Sequence, residues 1–227
     1  MKSPVIDHYE NLLGPVYSWM VGDIDLATAR ADEELTAIGL PLNCTGYAVD
    51  LGAGFGMHSL PLARRGYAVV AIDSYQPLLR ELHSRAGSLD LRTATGDLLE
   101  FKTFITRPAD VILCMGDTLT HLPDDAAVES LFTAVAAALA PGGLFVATFR
   151  DYAAAPLQGA ARFILVRSDE NRILTCLLEY SGATVTVHDV LHERAAGGWQ
   201  LRVSSYPKLR LAAQSVVESL APLLRTT

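Results

Sequence analysis

A short apolar run that passes directly into a glycine-rich turn and then into a helical pattern leaves a chain few folds to adopt. Here that segment is Val49-Asp50-Leu51-Gly52-Ala53-Gly54-Phe55-Gly56. Glycines at such a turn let the backbone bend sharply and let a ligand approach it with no Cβ in the way. The remainder of residues 41–150 repeats the strand-then-helix theme. Strand-like runs at 47–51, 68–72, 91–95, 109–115 and 144–149 alternate with helical patterns, Leu78, Leu79 and Leu82 in one and Val128, Leu131, Val135 and Leu139 in another. Gly66 and Pro141-Gly142-Gly143 are expected to end helices, and Asp124 to cap the start of one. This alternation predicts an α/β fold, a doubly wound parallel sheet with helices on both faces.

Two regions depart from the pattern. Residues 1–40 read as short helices, with Tyr9, Tyr17, Trp19 and Met20 on an aromatic face and Asp23 as a cap, and are expected to form an N-terminal helical cover. Between 162 and 206 the period changes to two. The runs 162–167, 173–179, 184–192 and 199–205 predict antiparallel strands, with turns at 168–171, 181–182 and 197–198. They form a β lid after the fifth strand, followed by an amphipathic helix carrying Leu209, Ala212, Ala213, Val216, Val217 and Leu220. The expected organisation is therefore a cover at 1–40, a core at 41–155, and a lid with its helix at 156–227, within one compact body.

Composition narrows the partners. Of the 227 residues 50% are hydrophobic and 19% charged, enough to bury a core and unlike a disordered chain. A net charge of -7 supplies no positive field for a nucleic-acid backbone, so no nucleic-acid partner is expected. The long apolar stretch at 131–149 is broken by Pro141-Gly142-Gly143, so no membrane span is expected either. Cys44, Cys114 and Cys176 are scattered and match no disulfide framework or metal pattern. The N-terminus lacks the apolar run of a signal peptide. A reducing, cytoplasmic location and no bound metal are the expectation.

Charge and spacing discriminate between ligands for the glycine turn. A dinucleotide site wants G-x-G-x-x-G, but the third glycine, Gly56, comes one position early and Met57 stands in its place. A pyrophosphate at the following helix would also meet Asp50. At about 4 Å and an effective dielectric of about 20, two like charges repel by about 4 kcal/mol. S-adenosylmethionine carries a sulfonium and an ammonium and no phosphate, so an acid beside the turn suits it. Asp73 ends the second strand, 17 residues beyond Gly56, where a carboxylate can accept from both ribose hydroxyls.

Asp50-Leu51-Gly52-Ala53-Gly54-Phe55-Gly56 followed by Ala71-Ile72-Asp73 resembles the class I S-adenosylmethionine-dependent methyltransferase family over about residues 45–150. The resemblance implies a Rossmann-like core whose cofactor site is drawn from Asp50, Gly52, Ala53, Gly54 and Gly56, with Asp73 and Ser74 beyond the second strand. It implies Asp97 and Leu98 at the adenine, Met115 and Gly116 after the fourth strand, and Tyr17 and Trp19 closing over the methionine moiety. An oxidoreductase using a nicotinamide cofactor, which Asp50 opposes, and a non-catalytic methyltransferase-like binding module are the alternatives.

Ligands of open α/β sheets lie beyond the carboxyl ends of the strands, so 114–122 should face the transferable methyl. Gly116-Asp117-Thr118-Leu119-Thr120-His121-Leu122 is similar to a segment of the glycine and sarcosine N-methyltransferases, with Asp117 where Asn is usual. Ser204-Ser205-Tyr206-Pro207-Lys208-Leu209 is similar to their Ser-x-Tyr-Pro segment. The implied acceptor is a small molecule with a nucleophilic N or O, amino-acid-like or carboxylate-bearing. It would be met by Asp117, Thr118, His121, Arg150, Tyr206 and Arg210, with His121 as base or orienting group. Arg162, Arg202 and Lys208 are further positive groups expected near the mouth. The family's usual final β hairpin has no counterpart in 220–227. The fifth strand is thus expected to be an edge, covered by the lid or paired with another subunit, and a homodimer would use the lid or that edge.

Overall fold

Tyr47–Leu51 is buried along its whole length, as a central parallel strand covered on both faces must be. It is β1 of a computed structural model that describes residues 3–224. The chain begins with the short helices α1 (Pro4–His8) and α2 (Tyr17–Val21), joined by further helical turns, and α3 (Ile24–Ala37) follows. After β1 come α4 (Ser59–Arg64), β2 (Ala68–Asp73), α5 (Gln76–Ala86), β3 (Leu91–Thr95), β4 (Ala109–Cys114), α6 (Asp125–Ala138) and β5 (Leu139–Ala147). Then β6 (Phe163–Ser168), β7 (Arg172–Ser181), β8 (Thr184–Ala195) and β9 (Gly198–Leu209) precede α7 (Ala213–Leu224).

The chain divides into two compact units, residues 23–150 with 214 onward, and the N-terminal residues to Gly22 with 151–213. In the first, five parallel strands lie in the order β3-β2-β1-β4-β5. From β1 the chain winds outward through β2 and β3, then crosses back to β4 on the other side. The crevice at the carboxyl ends of β1 and β4 is therefore the switch point where an open sheet receives its ligand. Leu35, Leu62, Val69, Val111 and Leu113 build one core cluster of this unit, and Leu60, Leu79 and Leu82 anchor another.

The expected boundary at residue 40 does not coincide with the packing. Asp23 caps α3 by accepting from the Leu26 N–H at 2.9 Å, as its position suggests. Yet α3 joins the parallel-sheet unit because Arg65, buried at the end of α4, reaches across to it. The guanidinium donates to Asp32 Oδ1 at 2.7 Å, to the Asp32 and Leu40 carbonyls and to Thr36 Oγ1. A buried guanidinium needs most of its five donors satisfied, and these four bonds supply that. No local period of the sequence signals Arg65, because its partners lie 25–33 residues away.

Two other expectations shift. The fifth strand begins at Leu139, pairs once with Ala109, loops out Pro141-Gly142-Gly143, and re-enters register at Val111↔Leu144. The expected turn is thus a bulge inside the strand. The last helix starts at Ala213 rather than near Leu209, because Leu209 remains paired with Thr184 in the antiparallel ladder. Among the described residues β5 is an edge of its sheet, and 225–227 lie outside the described residues.

The second unit is a four-stranded antiparallel sheet, β6-β7-β8-β9, with the N-terminal helical segment packed on one face. That face alternates as a half-buried strand should: Leu174, Cys176 and Leu178 of β7 and Val185, Val187 and Leu191 of β8 are buried. Leu12, Leu13 and Val16 pack against Leu174 and Leu191. His8 is fully buried, its Nε2 3.0 Å from Asp189 Oδ2 and its Nδ1 2.8 Å from Ser204 Oγ. Its ring stacks on Tyr206 with centroids 4.1 Å apart, so one histidine fixes the first helix to two lid strands.

Candidate functional site at the switch point

The turn after β1 is fastened to β2 before any ligand is considered. The Gly52 and Ala53 N–H groups both donate to the Ile72 carbonyl, at 2.9 and 3.0 Å. Gly54 N–H donates to Asp73 Oδ2 at 2.8 Å, and Tyr75 N–H to Asp73 Oδ1 at 2.7 Å. At Gly56 φ is +92°, and an added Cβ would lie 2.1 Å from Leu82 Cδ1. Only glycine meets both demands, so the turn can press against α5. At Gly52, φ +75°, an added Cβ would lie 2.5 Å from the Thr118 side chain. The β1 and β4 loops therefore touch across the crevice.

Asp50 and Asp73 set the electrostatics. Asp50 is 2% exposed and accepts from Ser59 Oγ at 2.5 Å. Burial raises its pKa above the usual 3.8, against the lowering effects of His58 and of the Ser59 bonds. Burial likewise raises that of Asp73, opposed by the Tyr75 and Gly54 N–H groups and reinforced by the Asp50 charge. Two acids so placed favour a positively charged neighbour.

The carboxyl ends of the other strands complete the crevice. Gly96 N–H donates to the Asp73 carbonyl, and Asp97, exposed, caps the turn at Leu98–Thr103 by accepting from Leu99 N–H at 2.9 Å. After β4, Met115 is buried and its carbonyl accepts from Thr118 Oγ1. Gly116 N–H donates to Thr148 Oγ1 at 2.8 Å. The Asp117 carboxylate accepts from Arg150 N–H at 2.7 Å, while its carbonyl accepts from Thr120 N–H and Oγ1. His121 closes the short helical turn Thr118–His121, half-buried.

The parallel-sheet unit thus carries Asp50, Gly52, Ala53, Gly54, Gly56, Asp73, Ser74, Asp97, Leu98, Met115, Gly116, Asp117, Thr118, His121 and Arg150 on one sheet end and its loops. Tyr17, Trp19, Tyr206 and Arg210 belong to the antiparallel unit. There Trp19 Nε1 donates to Asp169 Oδ2 at 2.5 Å, and the guanidinium groups of Arg167 and Arg172 lie over its ring. Tyr17 packs near Tyr9, and Tyr206 stacks on His8 with its hydroxyl pKa pushed well up by burial. Arg210 donates to the Tyr152 and Gly182 carbonyls, and Lys208 lies buried against the Tyr152 and Tyr206 rings. Ser59 and Thr148 escaped the sequence reading: each acts through a bond to a distant residue, which no local spacing reveals.

The donor set fits S-adenosylmethionine. Between residues 45 and 60 the chain carries Asp50 and no Lys or Arg, so the fixed charge beside the glycine turn is negative and suits a cationic ligand. Asp73 accepts from the Gly54, Tyr75 and Ser74 backbone N–H groups; a carboxylate offers about four sites, which leaves capacity for a ribose hydroxyl. Among the described residues no group of three or more His, Cys, Asp or Glu side chains is placed to hold a metal ion.

Comparison with known proteins agrees with this chemistry. Residues 48–143 match the model of a methyltransferase domain. Glycine N-methyltransferase of Rattus norvegicus is 25% identical over 217 residues, 85% of this chain and 74% of the rat enzyme. A ubiquinone biosynthesis O-methyltransferase of Xylella fastidiosa strain M23 is 36% identical over 110 residues; the match covers 47% of this chain and less than half, 43%, of that enzyme. Among solved structures, an S-adenosylmethionine-dependent methyltransferase from Clostridium acetobutylicum aligns with a TM-score of 0.71 at 17% identity, over 94% of this chain and 87% of that one. A SAM-bound amino pentose methyltransferase from Micromonospora echinaspora aligns with a TM-score of 0.71 at 19% identity, over 93% and 87%. These two show the same fold, and the match of residues 48–143 to a methyltransferase domain, together with the glycine turn and its two acids, makes S-adenosylmethionine-dependent methyltransferases the proteins that this chain is similar to.

Proposed function

We propose that this chain transfers the methyl group of S-adenosylmethionine to a nitrogen or oxygen of a small, amino-acid-like acceptor. The observation that carries the reading is Asp73, bonded to Gly54 N–H at the tip of a glycine turn that holds no basic residue. The bound cofactor supplies an electrophilic methyl on a positively charged sulfur. The chain's own work is to position, desolvate and manage one proton. Asp73 orients by accepting hydroxyl protons, and Asp97 and Leu98 border the adenine. Met115 and Gly116 line the approach to the methyl.

On the acceptor side, Asp117 supports an amine, since its carboxylate is held in place by Arg150 N–H. Arg150 supports a carboxylate on the same molecule. His121 takes the proton of an acceptor that arrives protonated. Tyr206 and Arg210 remain in the proposed acceptor set as groups of the antiparallel unit. Cytoplasmic residence is part of the proposal and rests on Cys44, Cys114 and Cys176, whose spacing matches no disulfide framework. No described helix is long and apolar enough to cross a membrane.

Calorimetry with S-adenosylmethionine and S-adenosylhomocysteine, followed by product analysis over a panel of amines, amino acids and hydroxy acids, tests this reading. Binding of both, with methyl transfer to an amine that also carries a carboxylate, is expected. Absence of binding overturns the cofactor assignment. Binding without turnover on any acceptor overturns the enzymatic one.

A further inference from the structure

The antiparallel sheet has two faces, and only one is covered within its own unit. On the other, Leu165, Thr175, Val190 and Val203 stand side by side across all four strands, β6 to β9. Phe163, Leu165, Trp199, Leu201 and Val203 on this face are 58%, 62%, 47%, 59% and 56% exposed. One-sided burial is normal for an antiparallel sheet, but the free face is then polar. Here its middle is aliphatic and aromatic. It carries two imidazoles: His188, already bonded to Ser205 Oγ and Glu179 Oε2, each at 2.7 Å, and His192, between Ile173 and Leu201, whose Nδ1 has no hydrogen-bond partner among the described residues.

We propose that this face is the interface with a second copy of the chain, packed sheet against sheet about a two-fold axis that runs across the strands. The dimensions suit a dimer. Three strands of about nine residues and the six residues of β6, about 4.8 Å apart with about 3.3 Å rise, give a surface of about 500 Å². That is about 1,000 Å² for the pair, the size at which a biological interface begins. It also matches the largest apolar patch that a soluble monomer ordinarily leaves open.

Charge selects the occupant and the axis. Glu179, paired with Thr186, lies near one end of the face; Arg194, paired with Trp199, lies at the other. The central rows between them carry no carboxylate, ammonium or guanidinium. An axis across the strands sets the Arg194 end of one copy against the Glu179 end of its partner. An anionic membrane would call for basic residues along the whole margin. The inference concerns the sheet alone and stands whether or not the acceptor assignment holds.

Sedimentation and light scattering of the full chain test it, and cofactor binding is measured separately. The expected species is a dimer, twice 24.4 kDa. In L201T/V203T, whose threonines keep strand propensity, the dissociation constant should rise at least about tenfold while the far-UV spectrum is retained. R194E should weaken the pair and E179R/R194E restore it. A wild-type chain that stays monomeric at about 100 µM, near −5 kcal/mol of association at best, overturns the proposal. So does a dimer that L201T/V203T leaves intact, which would place the contact elsewhere, as on the β5 edge. Monomers captured by anionic vesicles would assign the face to a membrane instead.

Discussion

Asp50 does not earn its burial through stability. Desolvation outweighs the Ser59 and His58 contributions and leaves its pKa above 3.8, and the unfolded chain releases that proton near the usual value. The folded protein therefore holds the proton over a pH window in which the unfolded chain has lost it. Stability is at its full value below the unfolded pKa and falls as pH rises through the folded one. Above its folded pKa the ionised Asp50 is a destabilising group kept for its charge, as site residues often are. Asp50→Asn, which can still accept from Ser59, should melt several degrees higher than wild type at pH 7. Below pH 3.8 that advantage should vanish, because both states are then protonated. The same variant should bind S-adenosylmethionine about tenfold more weakly, a loss of about 1.4 kcal/mol. Thermal melts across pH, with calorimetry at pH 7, check both halves; an equal or lower melting temperature at pH 7 contradicts the desolvation argument.

At the scale of elements, the glycine turn, the strands and the helix caps were legible because their signals are local. A buried parallel strand is an unbroken apolar run, a lid strand alternates every two residues, and Asp23 and Asp124 sit just before helical periods. What was not legible depends on partners far along the chain. Arg65 draws α3 into the parallel-sheet unit, a bulge absorbs Pro141-Gly142-Gly143 into β5, and His8 fixes the first helix by Asp189 and Ser204. The sequence places Asp50 and Asp73 at the strand ends beside the glycine turn, but carries no sign of their backbone and Ser59 partners. Gly56→Ala probes the one element that joins these levels. It sets a Cβ at 2.1 Å from Leu82 Cδ1 and holds φ at +92° for a residue that resists it. Backbone strain of about 1–3 kcal/mol is expected, with further loss from overpacking α5. The melting temperature should fall by several degrees and cofactor affinity with it; an unchanged melting curve would mean that the turn relaxes freely.

For the whole molecule, the two units give cofactor binding a directional signature. Unit boundaries after residues 22, 150 and 213 mean that the chain passes between units three times, so neither unit is one continuous stretch. Asp73 and the turn it holds lie wholly in the parallel-sheet unit, and a ligand that binds only the folded state stabilises what it touches. At about 100 times its dissociation constant, S-adenosylhomocysteine adds about 2.7 kcal/mol. For a chain of this length that raises the melting temperature by about 5–10 °C. Hydrogen exchange should slow most in peptides covering 50–57, 72–76, 95–99 and 114–121, because their N–H groups either line the crevice or hold its acids. Peptides from β7, β8 and β9 report on the antiparallel sheet, where the backbone is already paired strand to strand, and should change least. Protection spread evenly over both units would show that the ligand is held by both, and would move Tyr17, Trp19, Tyr206 and Arg210 to the centre of the binding argument. Protection confined to the parallel-sheet unit removes Tyr17 and Trp19 from the cofactor site and leaves Tyr206 and Arg210 the task of recognising the acceptor, which the same measurement repeated with acceptor present would then reveal.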